Sequence, residues 1–359
     1  MSPPDAAAGA PQETRVPYEA LDDFTRRVLE RLGLPSADAE TVTAVLSQTN
    51  LRGVETHGTD MLPIYVGRLR HGIIKPTPKM TIVKETAAMA LIDGDQGAGQ
   101  VTSVFAMNTA IDKARQAGIG WVNVRNSNHQ GALAYYSLMA AEQGMIGITS
   151  STTTTVMVPW GSREAIASNA PMAYALPSDR YETPVLDMAS SVHAYGKVRL
   201  AQERNVALPE GMAVDAEGNL TIDPFKAVAA VSFGDYKGSG LMMVFAALSG
   251  LLSGEPFTAQ RPAAGQEKGF AAQVAHLLVA VNVESFTDLG EFKTSLDDVI
   301  AGWKRSALRP GFDEVFYPGE IEWRRVPERK ANGIPVNESL LSELKAVGQD
   351  LGVPFPEAA

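Results

Sequence analysis

Residues 51–60, Leu-Arg-Gly-Val-Glu-Thr-His-Gly-Thr-Asp, gather a guanidinium, two carboxylates, two hydroxyls and one imidazole within ten positions. An imidazole titrates near ~6.5, so His57 is the side chain here best suited to give or take a proton at neutral pH. The bland reading of a lone loop histidine is a surface or helix-capping residue. A catalytic His57 needs a partner to fix its tautomer, and spacing alone does not say which acid that is.

Two further stretches could meet a ligand. Arg125-Asn126-Ser127-Asn128-His129-Gln130-Gly131 lies between an expected strand and an expected helix. Free N–H groups and the positive dipole end at such a helix start make an anion site. The alternative is a capped helix start with Ser127 or Asn128 as the cap. Gly234-Asp235-Tyr236-Lys237-Gly238-Ser239-Gly240 combines close backbone approach with a lysine suited to phosphate. Its alternative is a glycine-rich turn needed for packing.

Several chemistries lack their motifs. No G-x-G-x-x-G follows a strand and no G-x-x-x-x-G-K-[ST] occurs, so the usual dinucleotide fingerprint and the P-loop are both missing. The histidines 57, 71, 129, 193 and 276 show no close pairing, so no local metal motif is visible. The chain has no cysteine, which removes thiolate ligands and nucleophiles. Thr152 to Thr155 reads as a polar loop beside a sheet.

The elements that must hold these residues follow from periodicity. Leu21, Phe24, Val28 and Leu32 recur at helical spacing and stop at Gly33. Val42, Val45, Leu46 and Thr49 repeat the pattern from Ser36 to Gly53, and Leu62, Tyr65, Val66 and Leu69 form a third helix ending at Gly72. His57 therefore joins two helices. Beyond Lys79 the pattern becomes α/β, with strands at 82–83, 89–92, 121–124, 145–149, 172–176, 185–188 and 276–283 and helices at 100–117, 132–143 and 289–303. Residues 241–252 are apolar all round and read as a central buried helix. A loop at 309–320 precedes a last helix through Leu340, Leu344 and Val347.

Composition sets the class. A chain of 359 residues, 45% hydrophobic and 20% charged, reads as a soluble globular protein able to bury a large core. A net charge of -10 without basic patches argues against nucleic acid. The longest apolar run falls short of the roughly 20 residues a membrane span needs. Residues 1–17 read as a disordered leader on a cytoplasmic protein, since they lack the basic start and apolar core of a signal peptide.

With these residues laid out, the chain resembles the non-Rossmann malate/L-lactate dehydrogenase family, which also includes ureidoglycolate, sulfolactate and diketogulonate oxidoreductases and piperideine-2-carboxylate reductases. The resemblance spans about residues 18–353. It rests on Arg52-Gly53-x-x-Thr56-His57-Gly58, Asp93-Gly94-x-x-Gly97-x-Gly99-Gln100, Asn126-Ser127-Asn128-His129-x-Gly131, Asn169-Ala170-Pro171, Leu186-Asp187-Met188-Ala189-Ser190-Ser191, Gly196-Lys197, Thr221-x-Asp223-Pro224, Lys237-Gly238 and Pro318-Gly319-Glu320, in that order.

The resemblance implies an α/β fold whose NAD(P)-binding domain is a largely antiparallel sheet, with a helical domain formed by the N- and C-terminal segments. The boundaries are a helical segment at 18–78, a cofactor domain at 79–286 and a helical segment at 287–359 that packs back on the first. It implies a homodimer acting on a small molecule, with NADH or NADPH held by Asn128, His129, Gly131, Ser190, Lys237, Gly238, Pro318, Gly319 and Glu320.

Carried over, His57 resembles the proton donor to a carbonyl or imine, Asp187 the acid that orients the imidazole, and Thr56 the hydroxyl beside it. One departure concerns substrate. Met61 stands four residues after the histidine, where relatives have an arginine suited to a carboxylate, and a thioether does not replace a guanidinium. Either Arg52 or another arginine takes that role, or the substrate is less acidic, with bulky uncharged side chains fitting Met61. His193 either lines the pocket or packs structurally. The expected activity is a 2-oxo acid/2-hydroxy acid dehydrogenase, with cyclic imino acid reduction as the alternative chemistry and a non-catalytic cofactor-binding dimer as the alternative class.

Overall fold

The computed structural model describes residues 14–258 and 274–357. Strand β1 (Thr14–Val16) opens it, so the end of the expected disordered leader is ordered; residues 1–13 lie outside the described residues. Helices α1 (Tyr18–Arg31), α2 (Ser36–Leu51) and α3 (Leu62–Arg70) follow where apolar spacing places them. Leu21, Phe24 and Val28 of α1 and Val42 and Leu46 of α2 are all buried in one core.

The middle of the chain builds the sheet. Strands β2 (Thr81–Glu85) and β3 (Met89–Asp93) form a hairpin, and helix α4 (Gly99–Ala117) carries the chain over to β4 (Ile119–Ser127), parallel to β3. Ala106, Ala110 and Ala114 are fully buried on one face of α4, and such small residues let the helix lie close on the sheet. Helix α5 (Ala134–Ala141) and strands β5 (Met145–Ser151), β6 (Met172–Ala175) and β7 (Val185–Met188) complete this part.

Helix α6 (Gly196–Arg204) and a small sheet of β8 (Ala213–Val214), β9 (Leu220–Thr221) and β10 (Ala229–Ala230) come next, followed by helix α7 (Tyr236–Ser249) and strand β11 (Val274–Asn282). The main sheet has seven strands in the order β2-β3-β4-β11-β5-β6-β7. Only the β3–β4 pair is parallel, so the sheet is mostly antiparallel, as expected.

The reading of residues 241–252 as buried on all sides is corrected. Met242, Phe245 and Ala246 are buried, but Met243 is 63% exposed, Val244 52%, and Leu251 and Leu252 56% each. Helix α7 lies on one side of β5 and β11, which covers only one of its faces.

The last part holds α8 (Leu289–Lys304), α9 (Glu320–Asn332), β12 (Ile334–Val336) and α10 (Glu338–Leu351). Strand β12 pairs antiparallel with β1, and Ile334, Leu340 and Leu344 enter the core built by α1 to α3. Helix α8 instead faces the sheet side, where its buried Asp297 accepts from the Arg180 amide at 3.1 Å. Helix α9 was not expected. Its sequence, EIEWRRVPERKAN, is mostly charged and contains Pro327, so it lacks an apolar stripe that would announce it.

Candidate active site

The loop carrying His57 is tied at both ends. Asn50, at the end of α2, accepts the Thr59 amide at 3.0 Å and donates to the Thr59 hydroxyl at 2.6 Å. A Cβ on Gly58 would lie 1.9 Å from the Asn50 Oδ1, so only glycine lets the two segments meet. The chain between them winds into two short 3-10 turns, Glu55–His57 and Thr59–Met61. Helix α9 clamps this arch from outside. Arg329 donates to the Asn50 carbonyl at 2.6 Å and pairs with Glu55, and Arg325 donates to the Gly53 carbonyl at 3.0 Å.

The arch presents His57 half-buried, with the Thr56 hydroxyl 3.0 Å from its Nδ1. Burial pushes the imidazole below its ordinary pKa. Its ring lies over that of His129, centroids 5.7 Å apart and planes tilted by 31°. The Gly131 amide meets the His129 Nδ1 at 3.3 Å, and an amide only donates, so Nδ1 is the acceptor and the ring proton sits on Nε2. The Tyr65 hydroxyl, 2.8 Å away, donates to the same nitrogen. Burial, then the nearby His57, Arg68 and His276, push the His129 pKa well below its ordinary value, so this ring is a neutral, oriented neighbour.

His276 ties the sheet to the segment that carries His129. Near the start of β11, its Nε2 donates to the Asn128 carbonyl at 3.0 Å, which leaves Nδ1 to accept from the Ser151 hydroxyl at 3.0 Å. Burial drives its pKa down to about 3, so it stays neutral and ties the end of β5 to the peptide that leads into His129.

The opposite wall bears on two expectations. Asp187 of β7 accepts the Ala134 amide at 2.8 Å, so the start of α5 is not an open phosphate site: this carboxylate already caps it. Among the described residues no hydrogen bond or ion pair joins Asp187 to His57. Asp187 is enclosed by protein yet faces open cleft. Burial raises its pKa to about 6, the α5 amides and Arg52 offset part of this, and Glu322 adds to it. The full rise applies when a ligand displaces the cleft water.

Arg52 is 4% exposed, with its guanidinium 4.6 Å from the Trp323 ring centroid. Burial lowers its pKa despite the opposing pull of Glu322 and Asp187, and among the described residues its Nη1 has no hydrogen-bond partner.

Arg52, His57, His129 and Asp187 line one cleft of about 500 Å³. Of the expected site residues, Arg52, Thr56, His57, His129, Gly131, Asp187 and Gly319 face it. The others lie behind or beside its walls. The Asn128 amide is spent on the Ile73, Gln96 and Gly97 carbonyls. Ser190 is buried against Asn169 and Ala170. Lys237 is exposed at the start of α7, and a Cβ on the buried Gly238 would meet the Phe233 carbonyl at 2.3 Å, which is the packing role of a glycine turn. The Pro318 carbonyl accepts from Val185, and Glu320 pairs with Lys304 and Arg324, an arrangement that holds the Gly319 turn at the cleft.

Met61 packs against the core of α1 to α3, and His193 is partly buried beside Lys197 rather than in the lining. Sequence reasoning missed Arg68, Gln130, Thr152 to Thr154 and Glu322, all of which line the cleft. Two of these had a signal. Glu322 lies two residues after the Pro318-Gly319-Glu320 marker, and Arg68 lies seven residues, or two helical turns, beyond Met61 on one face. Among the described residues no group of three or more His, Asp and Glu side chains could hold a metal ion.

Comparison with known proteins decides the family. The model for malate/L-lactate dehydrogenase matches residues 16–345. The chain belongs to the malate/L-lactate dehydrogenase family. It is 37% identical over 349 residues to the malate dehydrogenase of Pyrococcus abyssi, covering 94% of this chain and 95% of that one. The sulfolactate dehydrogenase structure from Methanocaldococcus jannaschii superposes with a TM-score of 0.86 at 36% identity, covering 96% of this chain and 98% of that one. The NAD(+)-named ureidoglycolate dehydrogenase of Escherichia coli K12 is 31% identical over 332 residues, covering 92% and 95% of the two chains. As a member of this dehydrogenase family the protein is an oxidoreductase enzyme. No helix among the described residues is long and apolar enough to cross a membrane.

Proposed function

We propose that this oxidoreductase interconverts a small 2-oxo acid and its 2-hydroxy acid with NADH or NADPH, and that His57 exchanges the proton. The observation that carries the reading is the juxtaposition in one cleft of His57, set over a histidine of fixed tautomer, with a buried guanidinium whose Nη1 lacks a partner. The cleft suits a nicotinamide cofactor. Hydroxyls of Thr152, Thr153 and Thr154 and the Asn169 amide stand beside apolar Val185, Met188 and Val274, and the buried Gln130 Nε2 is an unsatisfied donor in its wall.

A nicotinamide bound there would supply hydride to the substrate carbon. Arg52 holds the carboxylate by charge-assisted hydrogen bonds, its plane kept in place by Trp323. Protonated His57 gives its proton to the carbonyl oxygen as that oxygen gains charge, and neutral His57 removes the hydroxyl proton in the reverse direction. Thr56 at Nδ1 and the ring of His129 set the imidazole plane. Asp187 acts on this account through α5 and Arg52. Closing the walls excludes water, which strengthens each of these interactions.

The exposed apolar strip of Leu241, Met243, Val244, Leu251 and Leu252 supports a homodimer, since unpaired patches of this kind mark interfaces. Dependence on a regenerated nicotinamide pool supports a cytoplasmic site of action. The test is oxidation of NADH and NADPH, followed at the nicotinamide absorbance band, against a panel of 2-oxo acids and piperideine-2-carboxylate. Turnover of oxo acids with either cofactor is expected; turnover confined to the imino acid would replace the reading.

A further inference from the structure

One wall of the cleft sets two carboxylates against a single guanidinium. Asp187 comes from β7, Glu322 from α9 and Arg52 from the end of α2, and Arg52 acts electrostatically on both acids. Opposite Asp187 in the sheet stands the uncharged Ala173, and α5 presents its first amides, with Ala134 donating to Oδ2 at 2.8 Å. The other titratable side chains lining the cleft are His57, Arg68, His129 and Tyr135.

With both acids ionised, this wall carries two negative charges against one positive. Water covers the imbalance while the cleft is open, since Asp187 faces it and Glu322 is only half-buried. Filling the cleft with a nicotinamide cofactor displaces that water and brings in phosphate charges, and two carboxylates in a drier site do not both stay ionised. One of them must accept a proton.

The surroundings select which one. Arg52 feels Glu322 more strongly than Asp187, so Glu322 is the better compensated acid. Asp187 loses least on becoming neutral, because Oδ2 goes on accepting from Ala134 while the other oxygen becomes a donor. Burial already pushes its pKa up to about 6, and Glu322 adds to the rise.

We propose that Asp187 takes up a proton when the cofactor fills the cleft and faces the ligand as a neutral acid that donates a hydrogen bond, while Glu322 stays ionised beside Arg52. The inference rests on the nicotinamide reading of the cleft given above. It gives the two acids opposite roles, one a donor and the other a counter-charge. A group whose pKa rises on binding strengthens that binding below its bound pKa and weakens it as pH climbs through that value.

The experiment is calorimetry of NADH and NADPH binding between about pH 5 and 8, in buffers of different ionisation enthalpy, which counts the protons exchanged. Wild type is expected to take up more protons than Asp187→Asn near pH ~6, and its Kd to rise about tenfold for each unit by which binding raises the Asp187 pKa, then to level off. Asp187→Asn, whose amide donates without a proton, is expected to lose this rise and to bind the cofactor more tightly than wild type above the levelling point. Glu322→Gln is expected to keep the uptake and to move the rise in Kd to lower pH. Infrared difference spectra of wild type, bound minus free, read the same event without a variant, as a carboxylate band lost and a protonated carboxyl band gained. Equal proton counts in wild type and Asp187→Asn, uptake lost in Glu322→Gln but kept in Asp187→Asn, or unchanged carboxylate bands overturn the proposal. Weaker binding by Asp187→Asn at every pH, with its melting temperature kept, also overturns it. Failure of both cofactors to bind the wild type overturns the nicotinamide reading itself.

Discussion

At the scale of single residues, the site pairs two histidines in different electrical states. His129 is locked neutral by burial and by two donors on Nδ1, whereas His57 is depressed by burial alone and stays free to cycle. A depressed His57 leaves the free enzyme mostly in the base form at neutral pH, so oxidation of the hydroxy acid starts from the form that dominates. The acid limb of kcat/KM for that direction is expected below pH ~6.5, and reduction, which needs the protonated form, is expected to gain as pH falls. Asp187, with its pKa raised to about 6, titrates nearby, so the profile is best taken in wild type and Asp187→Asn together. A limb that survives in Asp187→Asn belongs to His57, and one that vanishes there would reassign it to the carboxylate.

At the scale of elements, α9 does the most that the sequence did not announce. It brings Arg329 and Arg325 against the outside of the His57 arch, Glu322 to the cleft wall and Trp323 against Arg52. Arg329→Met removes a buried charge-assisted bond to the Asn50 carbonyl and the partner of Glu55. Urea unfolding is expected to show a loss of about 1–3 kcal/mol. Turnover is expected to fall at least about tenfold with cofactor affinity little changed, because on the proposed reading the arch positions the proton donor and not the cofactor. Full activity in a destabilised Arg329→Met would show that the arch holds its geometry without α9.

The legible parts of the chain share a physical cause. Helices α1 to α3 and the strands β3, β4, β5 and β11 bury apolar residues at a regular period, so their sequence states their place. Helix α9 is fixed by ion pairs and by contacts with residues far along the chain, and these leave no local period. The same limit applies in the site. His57 and Arg52 stand in a conspicuous polar cluster. Arg68 stands in an ordinary amphipathic helix, and only folding brings it to the cleft. Asp187 was marked by its segment, but its bond to the start of α5 depends on how β7 and α5 pack.

At the scale of the whole molecule, α7 and the turn after it leave an apolar face open, with Met243 and Val244 both more than half exposed. Light scattering is expected to report a dimer for the wild type. Met243→Lys is expected to shift it toward monomer, since a buried unpaired ammonium at an interface is costly. A wild-type monomer would contradict this.

The most direct test of the central claim, that His57 exchanges the proton in a nicotinamide-dependent reaction, is single-turnover reduction of a 2-oxo acid by His57→Asn preloaded with reduced cofactor. The account predicts a rate lower by about 10²–10⁴-fold with unchanged cofactor affinity. A His57→Asn rate within tenfold of the wild type would contradict it.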